Sequence, residues 1–116
     1  MEISELIRTL VQAYVGRDRA RVDSLLHEQL EFSSPYDPKL SKRQYFERCW
    51  DGGDNFRSMR IEKLFVGGAR GDEAFVRYEV ETKDGKRFRN VELMRAEEGR
   101  IREIQVYFGQ LPEKLP

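Results

Sequence analysis

The chain has 116 residues, 39% of them hydrophobic and 36% charged, which suits one compact domain over 1–116 with a single core. Its 21 basic and 21 acidic residues cancel, so the electrostatic footprint of a nucleic-acid binder is missing. No apolar run approaches the ~18 residues of a membrane span, and a lone cysteine, Cys49, cannot close an internal disulfide. With no basic-then-apolar leader in "MEISELIRTL", a reducing, cytoplasmic location is expected.

Ile3, Leu6, Ile7, Leu10, Val11, Tyr14 and Val15 recur at helical spacing with charges between them. This predicts a first helix that stops near Gly16. Asp18 suits the N-cap of a second helix presenting Val22, Leu25 and Leu26. "EFSSPYDPKL" breaks the pattern. Residues 31–34 read as a short strand, and Pro35 and Pro38 impose an extended or turning path. Ser41-Lys42-Arg43-Gln44 has capping-box form. It opens a third helix in which Tyr45, Phe46, Cys49 and Trp50 share a face, with Gly52-Gly53 as its end.

The rest reads as strand and turn. "SMRIEKLFV" is a long, bent strand. "AFVRYEVET" alternates Val76, Tyr78 and Val80 against Arg77, Glu79 and Glu81. "KDGK" carries a hairpin signal. Strands over 88–96 and 100–108 follow, and the tail 110–116 reads as loosely held. Helices first and strands last predict an α+β fold with helices on one sheet face. The other face would carry Arg77, Glu79, Glu81, Arg87 and Arg89, whose mixed signs suit cross-strand ion pairs rather than a polyanion site.

The hairpin "FRNVELMRAEEGRIREIQVYFG" poses the functional question. Phe88, Asn90, Glu92 and Met94 share one face of its first strand, and Val91 and Leu93 the other. Periodicity alone leaves open which face is inside. If Glu92 is inside, a carboxyl group occupies an apolar cavity; otherwise it is a surface residue. One histidine and one cysteine at unrelated positions make no metal-ligand set. "VGGARG" joins two strands and is no phosphate loop. No metal and no cofactor are expected.

This order of elements, with "FSSPYD", "YFERCW" and "GKRFRNVELMRAEEGRIREIQVYFG", resembles the SnoaL-like branch of the nuclear-transport-factor-2-like (NTF2-like) superfamily, which includes ketosteroid isomerase. The resemblance spans nearly the whole chain. It implies a cone: three N-terminal helices packed on a curved, mainly antiparallel sheet, with a cavity between them. It also implies a homodimer through the outer sheet face. Phe88, Asn90, Glu92 and Met94 would then face inward, together with Ile104, Val106 and Phe108.

Glu92 matches the position where ketosteroid isomerases and SnoaL-type cyclases place an acid on this strand. Tyr14 falls near the tyrosine of the isomerases' oxyanion hole, and Asn90 would fix a ligand polar group or Glu92 itself. Ser34 departs from the family, standing where the isomerases carry a general-base Asp before the Pro. Asp37 is the candidate substitute. Ser34, Tyr36, Phe46 and Trp50, with Tyr45, would line the mouth, and Phe88, Met94, Val106 and Phe108 the wall. Cys49 reads as a small buried residue. Otherwise Glu92 would be a structural buried acid paired with a tyrosine or an arginine, for instance Arg48 or Arg102. The implied function is binding of a small hydrophobic molecule bearing a carbonyl or hydroxyl group. Cofactor-free acid–base chemistry of isomerase, dehydratase, cyclase or hydrolase type could accompany it. The alternative is a non-catalytic ligand-binding or dimerising module.

Overall fold

Apolar periodicity and caps place the helices of this computed structural model, which describes residues 1–109. Helix α1, Ile3–Val15, buries Ile3, Leu6, Ile7, Leu10 and Val11 along one stripe. A short helix α2, Arg19–Leu25, starts where the Asp18 carboxylate accepts from the Arg21 amide at 3.1 Å. Helix α3, Lys42–Arg48, has the expected capping box. Ser41 Oγ accepts from the Gln44 amide, and Gln44 Oε1 from the Ser41 amide. The expected tail over 110–116 lies outside the described residues.

The strands are β1 (Leu26–Ser33), β2 (Phe56–Gly67), β3 (Glu73–Thr82), β4 (Arg87–Glu97) and β5 (Arg100–Phe108). They form one sheet in the order β1-β5-β4-β3-β2. All neighbours are antiparallel except β1 and β5, which run parallel. The Asp84-Gly85 turn joins β3 to β4 with Gly85 at φ 86, a left-handed conformation that glycine adopts without strain. Register shifts interrupt β2 at Phe56/Ser58 and Ile61/Lys63, and the β4–β5 pair at Arg95/Ala96. Such bulges bend and twist a strand, so the sheet curls around α1. Leu6, Ile7, Val22, Val76 and Ile101 are sealed inside at 0% exposure. Burying each of these large side chains contributes about 1.5–3 kcal/mol.

Two boundaries differ from the sequence reading. β1 begins at Leu26, not Glu31, so His27 lies on a strand and not in the second helix. Leu26, Leu30 and Phe32 are buried there while Glu28, Gln29 and Glu31 are exposed, and that strand pairing overrode the helical continuation. The third helix ends at Arg48, and a 3-10 helix over Trp50–Asn55 contains Gly52 and Gly53 instead of being stopped by them.

The outer sheet face holds the expected charges, organised by Glu62, which the sequence reading did not single out. Its carboxylate takes Arg89 at 2.9 Å, Arg77 at 3.2 Å and Arg60 at 3.4 Å. The Arg89 hydrogen bond leads in holding its pKa below the usual carboxylate range. Arg89 also meets Glu79, and Arg87 meets Glu81. An apolar strip runs beside this lattice, with Phe65 opposite Phe75 and Phe75 opposite Leu93. No helix among the described residues is long and apolar enough to cross a membrane.

Candidate functional site

The face question is settled by β4. Met94 is buried at 3% exposure, and Asn90, Glu92 and Met94 line a cavity enclosed by α1, α3 and the sheet. Its volume is about 410 Å³, at the small end of the range for ligand pockets. The walls are apolar: Leu10, Val11, Leu26, Phe32, Val76, Ile104 and Val106.

Glu92 keeps some accessible surface because it faces the cavity, but its carboxyl group is surrounded by protein. Burial pushes its pKa up to about 7, against the opposing effect of the Tyr78 hydrogen bond. Tyr78 Oη donates to Glu92 Oε2. Asn90 Nδ2 donates to Tyr78 Oη at 3.4 Å, and the Gly109 amide donates to Asn90 Oδ1 at 3.3 Å. Because the Tyr78 oxygen already accepts from Asn90, its single proton is directed at Glu92. Neither Arg48 nor Arg102 reaches Glu92: Arg48 faces Asp37 at 3.8 Å, and Arg102 Nε lies 4.0 Å from Glu97.

Tyr78 is the site residue that sequence reasoning missed. Its signal was present: a tyrosine between Val76 and Val80 on an inward face needs a polar partner. Only the β3–β4 register, Tyr78 opposite Asn90 and Val76 opposite Glu92, shows which partner that is. Tyr45 also belongs here. It lines the cavity. Burial, followed by Tyr14 and Glu92 nearby, raises its pKa well above the ordinary phenol value.

Tyr14 lines the cavity from α1. Its ring meets Trp50 edge-on at 5.5 Å and Phe56 at 6.0 Å, and the Arg17 guanidinium lies 5.2 Å from its centroid. Burial raises its pKa, partly offset by Arg17. Gly53 makes this packing possible, since a Cβ there would lie 2.7 Å from the Tyr14 hydroxyl.

The mouth brings together Ser34, Tyr36, Asp37, Arg48, Cys49 and Phe108. Ser34 Oγ accepts from the amides of Tyr36 and Asp37, both at 3.2 Å, so Ser34 holds the turn. Asp37 is engaged by Arg48 and lies 4.0 Å from Cys49 Sγ. Burial, then Asp37, raises the Cys49 thiol pKa, the opposite of an activated nucleophile. Tyr36 and Phe108 stand exposed with ring centroids 5.3 Å apart.

Three expected ligand contacts are not lining residues. Phe88 stacks behind Phe56 at 5.7 Å. Trp50 and Phe46 pack against each other at 5.6 Å on the far side of Tyr14 and Tyr45. They support the wall because α3, which carries Phe46, ends at Arg48 and the following 3-10 helix places Trp50 in the core.

The strand assignment of His27 creates a grouping that the sequence reading did not anticipate. His27, Glu97 and Glu98 have ligand atoms within 4.8 Å of one another. His27 Nδ1 accepts from the Gln29 amide, however, so Nε2 carries the proton and donates to Glu98 at 2.9 Å. Both ring nitrogens are thereby used, and the grouping is a hydrogen-bonded β-turn lock.

Comparison with known proteins places these features in a family. The profile described as a SnoaL-like domain matches residues 7–104. An NTF2-like protein of unknown function from Burkholderia xenovorans superposes with a TM-score of 0.78 at 14% identity, over 99% of this chain and 88% of its own. A protein from Kribbella flavida, provisionally assigned as a ketosteroid isomerase, gives 0.74 at 16% identity over 97% and 81%. A provisional polyketide cyclase from Sinorhizobium meliloti gives 0.74 at 14% over 89% and 94%. At these identities the similarity is one of fold. No curated protein matches the chain.

Proposed function

The chain belongs to the family of SnoaL-like domains, and on the cavity it encloses we propose that it binds a small hydrophobic molecule bearing a carbonyl or hydroxyl group and handles its proton through Glu92. The observation that carries this reading is a buried carboxyl group lining an apolar cavity, with Tyr78 its one hydrogen-bond partner among the described residues. Near neutral pH both of its protonation states are populated. Protonated Glu92 donates to a ligand oxygen while still accepting from Tyr78; ionised Glu92 accepts a proton from the ligand. Tyr14 and Tyr45 are the neighbouring hydroxyls that would polarise a carbonyl. Such acid–base assistance is worth about 10²–10⁴ in rate. The fold's neighbours provisionally assigned as isomerase and cyclase agree with chemistry of this class.

The test is a carboxyl NMR titration, with Glu92→Gln assigning the signal. Glu92 is expected to titrate near pH 7, and higher still in Tyr78→Phe, because the tyrosine proton favours the ionised form. A midpoint near the ~4.3 of an ordinary glutamate would remove the acid–base reading.

We also propose that the outer sheet face pairs with a second copy. Phe65, Phe75 and Tyr107 are 66%, 49% and 51% exposed there, beside a charge lattice that is internally paired. Sedimentation should show a dimer that Phe75→Glu converts to a monomer. A wild-type monomer at high micromolar concentration would refute it.

A further inference from the structure

The charge inside the cavity is one-sided. Of its lining residues only Glu92, Asp37 and Arg48 carry formal charge, and Asp37 and Arg48 face each other at the mouth. Glu92 therefore has no basic partner among the described residues; its bonded neighbour is the neutral Tyr78. An ionised carboxylate offers about four lone-pair sites, and Tyr78 occupies one of them. Three rings line the same space from three elements: Tyr14 on α1, Tyr45 on α3 and Tyr78 on β3. Tyrosine faces attract cations, more strongly once water is excluded. A buried acid that gains an opposite charge recovers part of what desolvation took away.

An unmatched carboxylate, tyrosine rings and apolar walls together describe the complement of one ligand class. We propose that the cavity accepts hydrophobic amines, with the ammonium group against the open side of the Glu92 carboxylate and the apolar body along Val76, Met94, Ile104 and Val106. The inference rests on the reading of this cavity as a ligand site and adds a cationic ligand class to the carbonyl and hydroxyl compounds. A hydrated inorganic cation fits poorly, because beside the single Glu92 carboxylate the lining is mostly apolar and offers no carboxylate-rich oxygen cage. No bond forms or breaks: the amine enters as ammonium and Glu92 remains ionised.

The two ligand classes then prefer opposite protonation states. A carbonyl ligand takes a hydrogen bond from protonated Glu92, whereas an ammonium ligand requires the ionised form. The other groups facing Glu92 do not change charge between pH 6 and 8. Burial holds Tyr14, Tyr45 and Tyr78 above the usual phenol value and Cys49 above the usual thiol value, and Asn90 does not titrate. Asp37 and Arg48 form the ion pair at the mouth.

The experiment uses the full chain and three probes: 1-naphthylmethylamine, its isostere 1-naphthalenemethanol, and 2-acetylnaphthalene. Calorimetric titrations are run at pH 6 and pH 8 with wild type and Glu92→Gln. The amine is charged at both values, so its pH response reports Glu92. Its affinity is expected to rise about tenfold from pH 6 to pH 8 as Glu92 ionises about a midpoint near 7. It should fall at least about tenfold in Glu92→Gln at pH 8, a clearly larger factor than for the alcohol, whose hydroxyl the glutamine amide can still hydrogen-bond. Alcohol binding by the variant also shows that its cavity is intact. If the alcohol or ketone binds but the amine binds no tighter than the alcohol at pH 8, this inference fails and the ligand-site reading stands. An amine affinity unchanged in Glu92→Gln overturns it equally. If none of the three probes binds, both fall.

Discussion

Glu92→Gln is expected to make the protein more stable at pH 8, and to leave its stability near pH 4.5 close to that of wild type. The sign follows from proton linkage. The folded state lifts the Glu92 pKa from 4.5 to about 7. Between those values the folded chain holds a proton that the unfolded chain has released, so unfolding becomes easier as pH rises through this window. Above about pH 7 the whole penalty is present, about 3 kcal/mol for a rise of this size. Glutamine fills nearly the same volume, still accepts from Tyr78 and cannot ionise, so the variant escapes the penalty. Urea denaturation of both proteins at pH 4.5, 6 and 8 checks this. The difference between the two curves isolates Glu92 from the other carboxylates, and parallel curves would contradict a buried, unpaired acid. A group that lowers stability at neutral pH is common at functional sites, where activity and stability oppose each other.

Trp50→Ala should be the most damaging single change among the residues that the sequence marked as ligand contacts. The indole is 7% exposed. The Arg17 guanidinium lies over it at 3.9 Å, with Tyr14 and Phe46 at 5.5 and 5.6 Å. Arg17 Nη2 also donates to the Trp50 carbonyl at 2.6 Å and Nε meets Asp54 at 2.9 Å, so one residue ties the end of α1 to the 3-10 helix. Truncating a buried Trp costs about 3–5 kcal/mol, which lowers the melting temperature on the order of 10–20 °C for a domain of this size. Tyr36→Ala is the contrast. Tyr36 is 81% exposed at the mouth, so its loss should leave thermal stability within about 0.5 kcal/mol while weakening binding of the aromatic probes. A small effect at Trp50 and a large one at Tyr36 would reverse the assignment of core and mouth.

Much of the architecture was legible because its signals are local. The α1 stripe, the Asp18 cap, the Ser41/Gln44 capping box and the Asp84-Gly85 turn depend on residues within a few positions of one another. The errors arose where a distant partner intervened. Residues 26–30 left the helix because β5 offers β1 a parallel edge. The third helix gives way to a 3-10 turn in which Gly53 packs closely against Tyr14 of α1, a contact far away in the chain.

The site divides in the same way. Sequence by itself determined that Glu92 shares a face with Asn90 and Met94, since alternation along a strand is a property of the backbone. With the family resemblance, that face was expected to be the inner one. The resemblance to the isomerases, read against Ser34, also implied that the general base expected there is missing. Which tyrosine or arginine meets the carboxyl group was left open by the sequence, and the packed β3–β4 register makes it Tyr78. Only the tertiary structure decided that Trp50, Phe46 and Phe88 support the wall without lining it, and that Asp37 is turned to Arg48. These are contacts between strands and helices far apart in the chain. Their partners follow from register and from the curl of the sheet, and bulges set both by displacing whole strands at once.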